Sequence, residues 1–163
     1  MRDENRLTLD TESQVFFYEQ EHYYLSNFSA FNLIWNGHTY PTSEHAYQAA
    51  KFALHRTDIA ACIFLAPSAH EAFKIAERYK AERHPSWDER KVRTMRAILL
   101  AKAEQHEYVR RKLLETGDRE LIENSWRDDY WGWGPSRDGQ NMLGKLWMEV
   151  RAELRAAKEP RDA

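Results

Sequence analysis

The hydrophobic pattern of the chain changes at Pro41. Before it, "VFFYEQ" is a β-prone run, and "FNLIWNGHTY" places two more around Asn36-Gly37, the pair that suits a type I′ turn. After it, apolar residues recur at helical spacing between start and stop signals. Pro41 with Thr42 or Ser43 opens a helix to about His55, and Thr57 caps a second through Leu65. Ser68-Ala69-His70-Glu71 is a capping box for a third, to about Lys80. Trp87-Asp88 leads into a long helix with Val92, Met95, Ile98 and Leu99 on one face. A further helix carries Val109, Leu113 and Leu114 and stops at Gly117. Leu143, Leu146, Trp147, Val150 and Leu154 form the apolar stripe of the last. The expected fold is mainly α (α+β): one compact multihelical domain over residues 15–156 with a small N-terminal antiparallel hairpin or sheet. Residues 1–14 and 157–163 are expected to be loose ends.

A chain of 163 residues, 42% hydrophobic, can bury one core of ordinary size. Its net charge of −2 and pI near 6.4 exclude a global basic field for nucleic acid or anionic membrane. No run approaches the roughly 20 apolar residues of a membrane span. The charged opening "MRDENRLTLDTESQ" has no signal-peptide core. Cys62 is the single cysteine, so no internal disulfide framework is expected and a reducing, cytoplasmic location fits. The seven histidines lack HxxxH spacing and cysteine partners, and no metal site is expected.

One segment departs from the helical pattern. "SWRDDYWGWGPSRDGQNMLG", residues 125–144, holds four of the six glycines together with acids, amides and tryptophans. Long irregular loops in compact domains are often functional. "WGWG" lacks both the GK[ST] ending of a Walker loop and the full GxGxxG spacing. A tight turn requiring positive φ is the simpler reading, although N–H groups near Gly132, Gly134 and Gly139 could bind an anion. Trp131 and Trp133 alternate around Gly132, so that one can pack inward while the other stacks on a base. Glu123 and Asp128 precede the turn, and surface charge is the usual fate of acids. Asn141 suits a cap for the last helix.

"PTSEHAYQAAKF", residues 41–52, poses the functional question. At 100° per residue, Glu44, Gln48 and Lys51 fall within about 60° of one another, with Tyr47 beside them. Ala46, Ala49, Ala50 and Ala53 gather on the other side, where another helix can approach closely. By pattern alone the polar stripe is a solvated face, since an acid suits a helix N-terminus and Gln and Lys are good helix formers. If it faces a pocket instead, Glu44 is a general acid or base, and Lys51 an anion ligand or nucleophile.

Five blocks in order carry a resemblance: "FFYEQEHYYLSNFSAF", "YPTSEHAYQAAKF", "SWDERKVRTMRAILLAK", "LLETGDRELIENSWRDDYWGWG" and "DGQNMLGKLWMEVR". Together they resemble the YbiA-like proteins of the NADAR superfamily over about residues 15–155. The resemblance implies a compact, mostly helical domain with N-glycosidase chemistry and no cofactor. Glu44, Gln48 and Lys51 match TSEHxxQxxK; Ser26-Asn27-Phe28 match the LSNF block; Trp87 matches the tryptophan before the central helix. Glu123, Asp128, Trp131, Gly132 and Gly134 match ExxxxDxxWGxG, and Gly139, Asn141 and Gly144 match GxNxLG. Departures are Ala103 in place of an aromatic after Lys102, and Trp147 in place of a leucine.

On that resemblance the expected reaction is hydrolysis of the ribose C1–N bond of phosphoribosylaminopyrimidine intermediates of riboflavin biosynthesis. It would release ribose 5-phosphate. The alternatives are removal of ADP-ribose from guanine in nucleic acid, and a module that binds ADP-ribose or nucleotide without cleaving it. The partner is then a small phosphoribosyl or ADP-ribosyl substrate, or ADP-ribosylated nucleic acid; no membrane is implied and the oligomeric state is open. By analogy with two-carboxylate glycoside hydrolysis, Glu44 and Asp128 are the expected principal carboxylates. Lys51 offers a Schiff-base route. Asn27, Phe28, Tyr47, Gln48, Trp87, Glu123, Trp131, Gly132, Gly134 and Asn141 are the expected substrate-binding positions, and arginines such as Arg93 are candidates for phosphate.

Overall fold

A computed structural model describes residues 9–158. The ends expected to be loose therefore fall, at 1–8 and 159–163, outside the described residues. The elements run β1 (Gln14–Phe17), β2 (Leu33–Trp35), β3 (His38–Tyr40), α1 (Ser43–Ala50), α2 (Thr57–Phe64), α3 (Ala69–Arg78), α4 (Trp87–Gln105), α5 (Glu107–Glu115), β4 (Glu120–Glu123) and α6 (Met142–Lys158). The fold is mainly helical with two small sheets. β1 thus begins at the edge of the expected N-terminal tail, and α6 runs into the expected C-terminal one.

The start and stop chemistry operates largely as the sequence indicates, except at α2: Thr57 is its first helical residue rather than its cap, which is Arg56 and makes no side-chain capping bond. Asn36 and Gly37 take φ of 48° and 81°, turning β2 into β3 with Trp35 opposite His38. Ser68 accepts from the Glu71 N–H at 3.1 Å and starts α3. Gly117, at φ 66°, follows the end of α5. α1 is shorter than expected. Its ladder tightens where the Lys51 N–H turns to the Gln48 carbonyl, and the chain continues through turns to His55.

One element has no antecedent in the sequence reading. β4 pairs with β1 in parallel, from Gln14 opposite Glu120 to Phe17 opposite Glu123. This strand fixes the far side of the site. Its sheet packs on α6, and α6 in turn packs on α4. Trp147, fully buried, donates its indole N–H to the Leu25 carbonyl at 2.9 Å. Lys102, also fully buried, donates to the Ser26 carbonyl and Ser29 Oγ. Both tie the turn carrying Asn27 to the helical body.

Close approach explains the glycine that begins α6. A Cβ on Gly144 would lie 2.0 Å from the Leu121 carbonyl oxygen and 2.5 Å from Asn141 Nδ2. Gly144→Ala therefore forces α6 off β4 and is expected to cost ~3 kcal/mol or more. Denaturant unfolding checks this; a loss below ~1 kcal/mol would refute the close packing.

Candidate active site

α1 carries the centre of the site. Thr42 Oγ1 accepts from the His45 N–H at 3.1 Å, so Thr42, not Ser43, is the cap. His45 is structural: its Nε2 meets the Ala66 carbonyl at 3.0 Å, and it shares a second hydrogen bond with Thr42 Oγ1. Helices α2, α3 and α4 and both strands of the hairpin pack against α1. Glu44, Gln48 and Lys51 are consequently only 6%, 3% and 8% exposed, so the polar stripe is not a solvated face. The alanine side behaves differently. Ala46, Ala50 and Ala53 line a cavity of about 530 Å³ with Trp35, Tyr40 and Phe64, which contains none of the expected site residues.

Burying polar groups is costly unless they are paired. Gln48 Nε2 donates to Glu44 Oε1 at 2.7 Å. Gln48 Oε1 is left buried without a partner among the described residues, as are Asn27 Oδ1, Ser43 Oγ and Glu123 Oε2. Each belongs to a neighbour of Glu44. Ser43 precedes it, Gln48 bonds it, the Asn27 carbonyl accepts its N–H at 3.0 Å, and Glu123 interacts with it through charge. Folded proteins leave few such atoms, and a group of acceptors around one acid suits a ligand rich in hydrogen-bond donors.

The charges support one cluster. Burial pushes Glu44 up to about 7; the Gln48 hydrogen bond and Lys51 oppose the rise and Asp128 adds to it. Burial lowers Lys51 to about 8 against the pull of Glu44, with Arg83 and Lys80 assisting. Glu123 rises to about 8, first by burial and then through Asp128 and Glu44. As a whole residue Glu123 is half-buried, but its Oε2 has no solvent contact, and that atom governs its chemistry. Three carboxylates and one amine are thus electrostatically joined.

The tryptophans divide as their alternation suggests. Trp131 meets Tyr47 edge-on at 5.7 Å, whereas Trp133 packs on Phe16 at 4.9 Å and donates to Asn124 Oδ1. Trp87 is 2% exposed and packs on Tyr47 at 5.3 Å, which makes it a support for that ring. Lys51 Nζ lies 5.2 Å from the Tyr47 ring centre.

The glycine loop is knitted to itself. The N–H groups of Trp133, Gly139, Gln140 and Asn141 bond the carbonyls of Glu123, Trp133, Asp129 and Gly132. Those donors are therefore engaged, and the anion cradle considered near Gly139 does not form there. Asp128 Oδ1 accepts from the N–H groups of Tyr130 and Trp131 at 2.9 and 2.8 Å and so builds the turn. Gly134 has the positive φ expected of a turn, at 72°, while Gly132 is needed for space: a Cβ there would meet Ser125 Cβ at 2.7 Å.

Two expectations need correction. Asn141 does not cap α6 with its side chain, nor is its amide free for substrate. Its Oδ1 accepts from the Glu123 N–H and its Nδ2 donates to the Leu121 carbonyl, both at 2.9 Å, clamping β4. Phe28 is 38% exposed and makes no ring contact with Tyr47, Trp87 or Trp131 among the described residues. It lines a separate shallow cavity with Glu19, Tyr23 and Ser29. Sequence reasoning also passed over Ser43 and Arg90. Arg93 is exposed, whereas Arg90, one turn from Trp87, keeps a buried Nη2 without a partner among the described residues. Its i, i+3 spacing from Trp87 was the available signal.

Among the described residues, no three of His, Cys, Asp or Glu are grouped closely enough to hold a metal ion, and no helix is long and apolar enough to cross a membrane.

A buried acid and amide on α1, with the amine of Lys51 at its end, are thus coupled by charge to two further carboxylates. The NADAR domain model matches residues 16–155, and the chain belongs to that family. It is 37% identical to N-glycosidase YbiA of Escherichia coli (strain K12) over 135 residues, covering 82% of each chain. It is 36% identical to an N-glycosidase of Nostoc punctiforme over 144 residues, covering 86% of this chain and 92% of that one. A riboflavin biosynthesis protein of Vibrio vulnificus (strain YJ016) is 37% identical over 145 residues; the match takes in 88% of this chain but only 39% of that protein. The NMR structure of Escherichia coli YbiA superposes with a TM-score of 0.84 at 33% identity, covering 97% of this chain and 95% of that one.

Proposed function

We propose that the protein hydrolyses the ribose C1–N bond of phosphoribosylaminopyrimidine intermediates of riboflavin biosynthesis, releasing ribose 5-phosphate. Its class is that of its family relatives, a hydrolase of N-glycosyl bonds. The observation that carries the reading is the buried Glu44–Gln48–Lys51 stripe, coupled to Asp128 and Glu123. The aminopyrimidine and the ribose diol are rich in donors, which the acceptor oxygens of Asn27 and Gln48 suit. Trp131 and Tyr47 offer aromatic surface to the base, with Gly132 and Gly134 shaping the turn around it. Lys80, Arg83 and Arg90 supply positive charge for the phosphate.

Cleavage develops positive charge on the ribose ring, which the Glu44 carboxylate stabilises. Lys51 is the nucleophile. Its buried amine loses its proton near neutrality and attacks C1, and the base departs with the C–N electron pair. The attack leaves a ribosylamine on Lys51. Its nitrogen gives up a proton and its lone pair forms C=N as the C1–O4′ bond breaks, with O4′ taking a proton. The Schiff base to ring-opened ribose is then hydrolysed by water deprotonated by Glu44.

The pH dependence follows. Below about 7 Glu44 is neutral and Lys51 is charged, so the rate is expected to climb between roughly pH 6 and 8. A profile flat over that range would contradict both assignments.

The deciding assay offers the purified chain two substrates side by side, a phosphoribosylaminopyrimidine and an oligonucleotide bearing ADP-ribosylated guanine. Release of ribose 5-phosphate from the first is the expected result. Cleavage of only the second would move the substrate to modified nucleic acid. Tight binding with both ligands intact would make the chain a binding module.

A further inference from the structure

We propose that Glu123, rather than Asp128, is the acid that protonates the departing nitrogen. This rests on the N-glycosidase reading and assigns the step that reading leaves open.

The two carboxylates are held differently. Asp128 Oδ1 already accepts two backbone N–H groups and serves the turn. Glu123 ends β4, and its backbone is fixed on both sides. Its N–H is bound by Asn141 Oδ1 at 2.9 Å, and its carbonyl accepts from the Trp133 N–H at 3.1 Å. The side chain, by contrast, keeps Oε2 buried and, among the described residues, without a partner. A carboxylic acid needs that freedom to reach a leaving group.

The groups facing Glu123 favour its protonated form. Glu44 from α1 and Asp128 from the loop each repel a charge on it, and burial acts in the same direction. Tyr18, just beyond β1, is the third titratable neighbour, and its own phenol is raised partly by Glu123. Two carboxylates of unlike surroundings therefore divide the work. Glu44 has the Gln48 hydrogen bond and Lys51 to favour its charge, whereas Glu123 has only groups that oppose one, so Glu123 is the carboxyl that holds its proton.

The step balances. As the C1–N bond breaks, its electron pair passes to nitrogen, which takes the Glu123 proton. The Glu123 carboxylate regains a proton from the water that later releases the ribose, relayed through Glu44 or solvent. No oxidant, reductant or further reactant enters.

Glu123→Gln tests this with two leaving groups of different need. The aminopyrimidine riboside phosphate requires protonation, whereas 4-nitrophenyl β-ribofuranoside 5-phosphate releases a stable anion without it. The variant is expected to lose about 1000-fold on the first and less than about 10-fold on the second, and to lose the fall in rate above about pH 8. Equal losses on both substrates, or an unchanged alkaline limb, would overturn the assignment. Glu123→Asp guards against misfolding. It keeps a carboxyl and is expected to retain the alkaline limb at reduced rate; loss of that limb would count against the proposal. Wild-type protein that cleaves no N-riboside defeats the glycosidase reading itself. Activity only on ADP-ribosylated guanine changes the substrate and leaves the comparison of Glu123→Gln with wild type to run on that base.

Discussion

Glu44→Gln is expected to give a folded protein that is about 1000-fold slower and, above neutral pH, more stable than its parent. The loss of rate follows from the proposed mechanism, in which this carboxylate stabilises the ribose cation and activates water. The gain in stability follows from burial. Glu44 titrates at about 7 in the folded chain against an ordinary 4.5, so folding favours its neutral form. That contribution is present below about 4.5 and is lost as pH rises through about 7. At pH 8 the wild type carries a buried charge that the amide does not, a difference of roughly 2–3 kcal/mol. For a domain of this size that is a rise in Tm of roughly 5–10 °C. The amide can still accept from Gln48 Nε2, and Lys51, without its counter-charge, becomes neutral rather than stranded as a cation. Calorimetry at pH 4.5 and pH 8 is the check: the two proteins should nearly coincide at the lower pH and separate at the higher. Full turnover in the variant, or equal melting at pH 8, would remove Glu44 from its role.

Borohydride added during turnover is expected to inactivate the enzyme and leave a reduced ribose phosphate on Lys51. Lys51→Met should lose about 1000-fold in rate and form no adduct. Lys51→Arg should not rescue either property, because a guanidinium stays protonated and cannot attack carbon. The grounds are structural. The amine is 8% exposed, burial brings it to about 8, and roughly half of it is neutral at that pH. Peptide mass spectrometry locates the adduct. Rapid wild-type turnover with no trapped species would transfer the attack on C1 to water activated by Glu44.

Much of the helical frame was legible because its signals are local. Ser68 with Glu71, Asn36 with Gly37, and Gly117 each satisfy a backbone demand within a few residues. The site was only partly legible. The spacing of Glu44, Gln48 and Lys51 showed that they share a face, but the same spacing describes a wet helix. The role of Asn141 was misread for the same reason. An amide ahead of a helix looks like a cap, and only the position of β4 shows that it bonds a strand about 20 residues back. β4 itself was invisible, since "ELIE" has too few apolar residues to declare a strand without its partner.

The sequence by itself determined where helices start and stop, which residues form their apolar stripes, and which polar residues lie together on α1. These depend on dihedral preference, capping and period. The tertiary structure decided that β1 pairs with β4 and that α1 is enclosed. It also decided that three carboxylates and an amine are coupled by charge in one place. The physical reason is that desolvation and charge coupling depend on distance in space: β1 and β4 pair across about a hundred residues of chain, and Glu123 at the end of β4 couples by charge to Glu44 on α1, with no local signal for either.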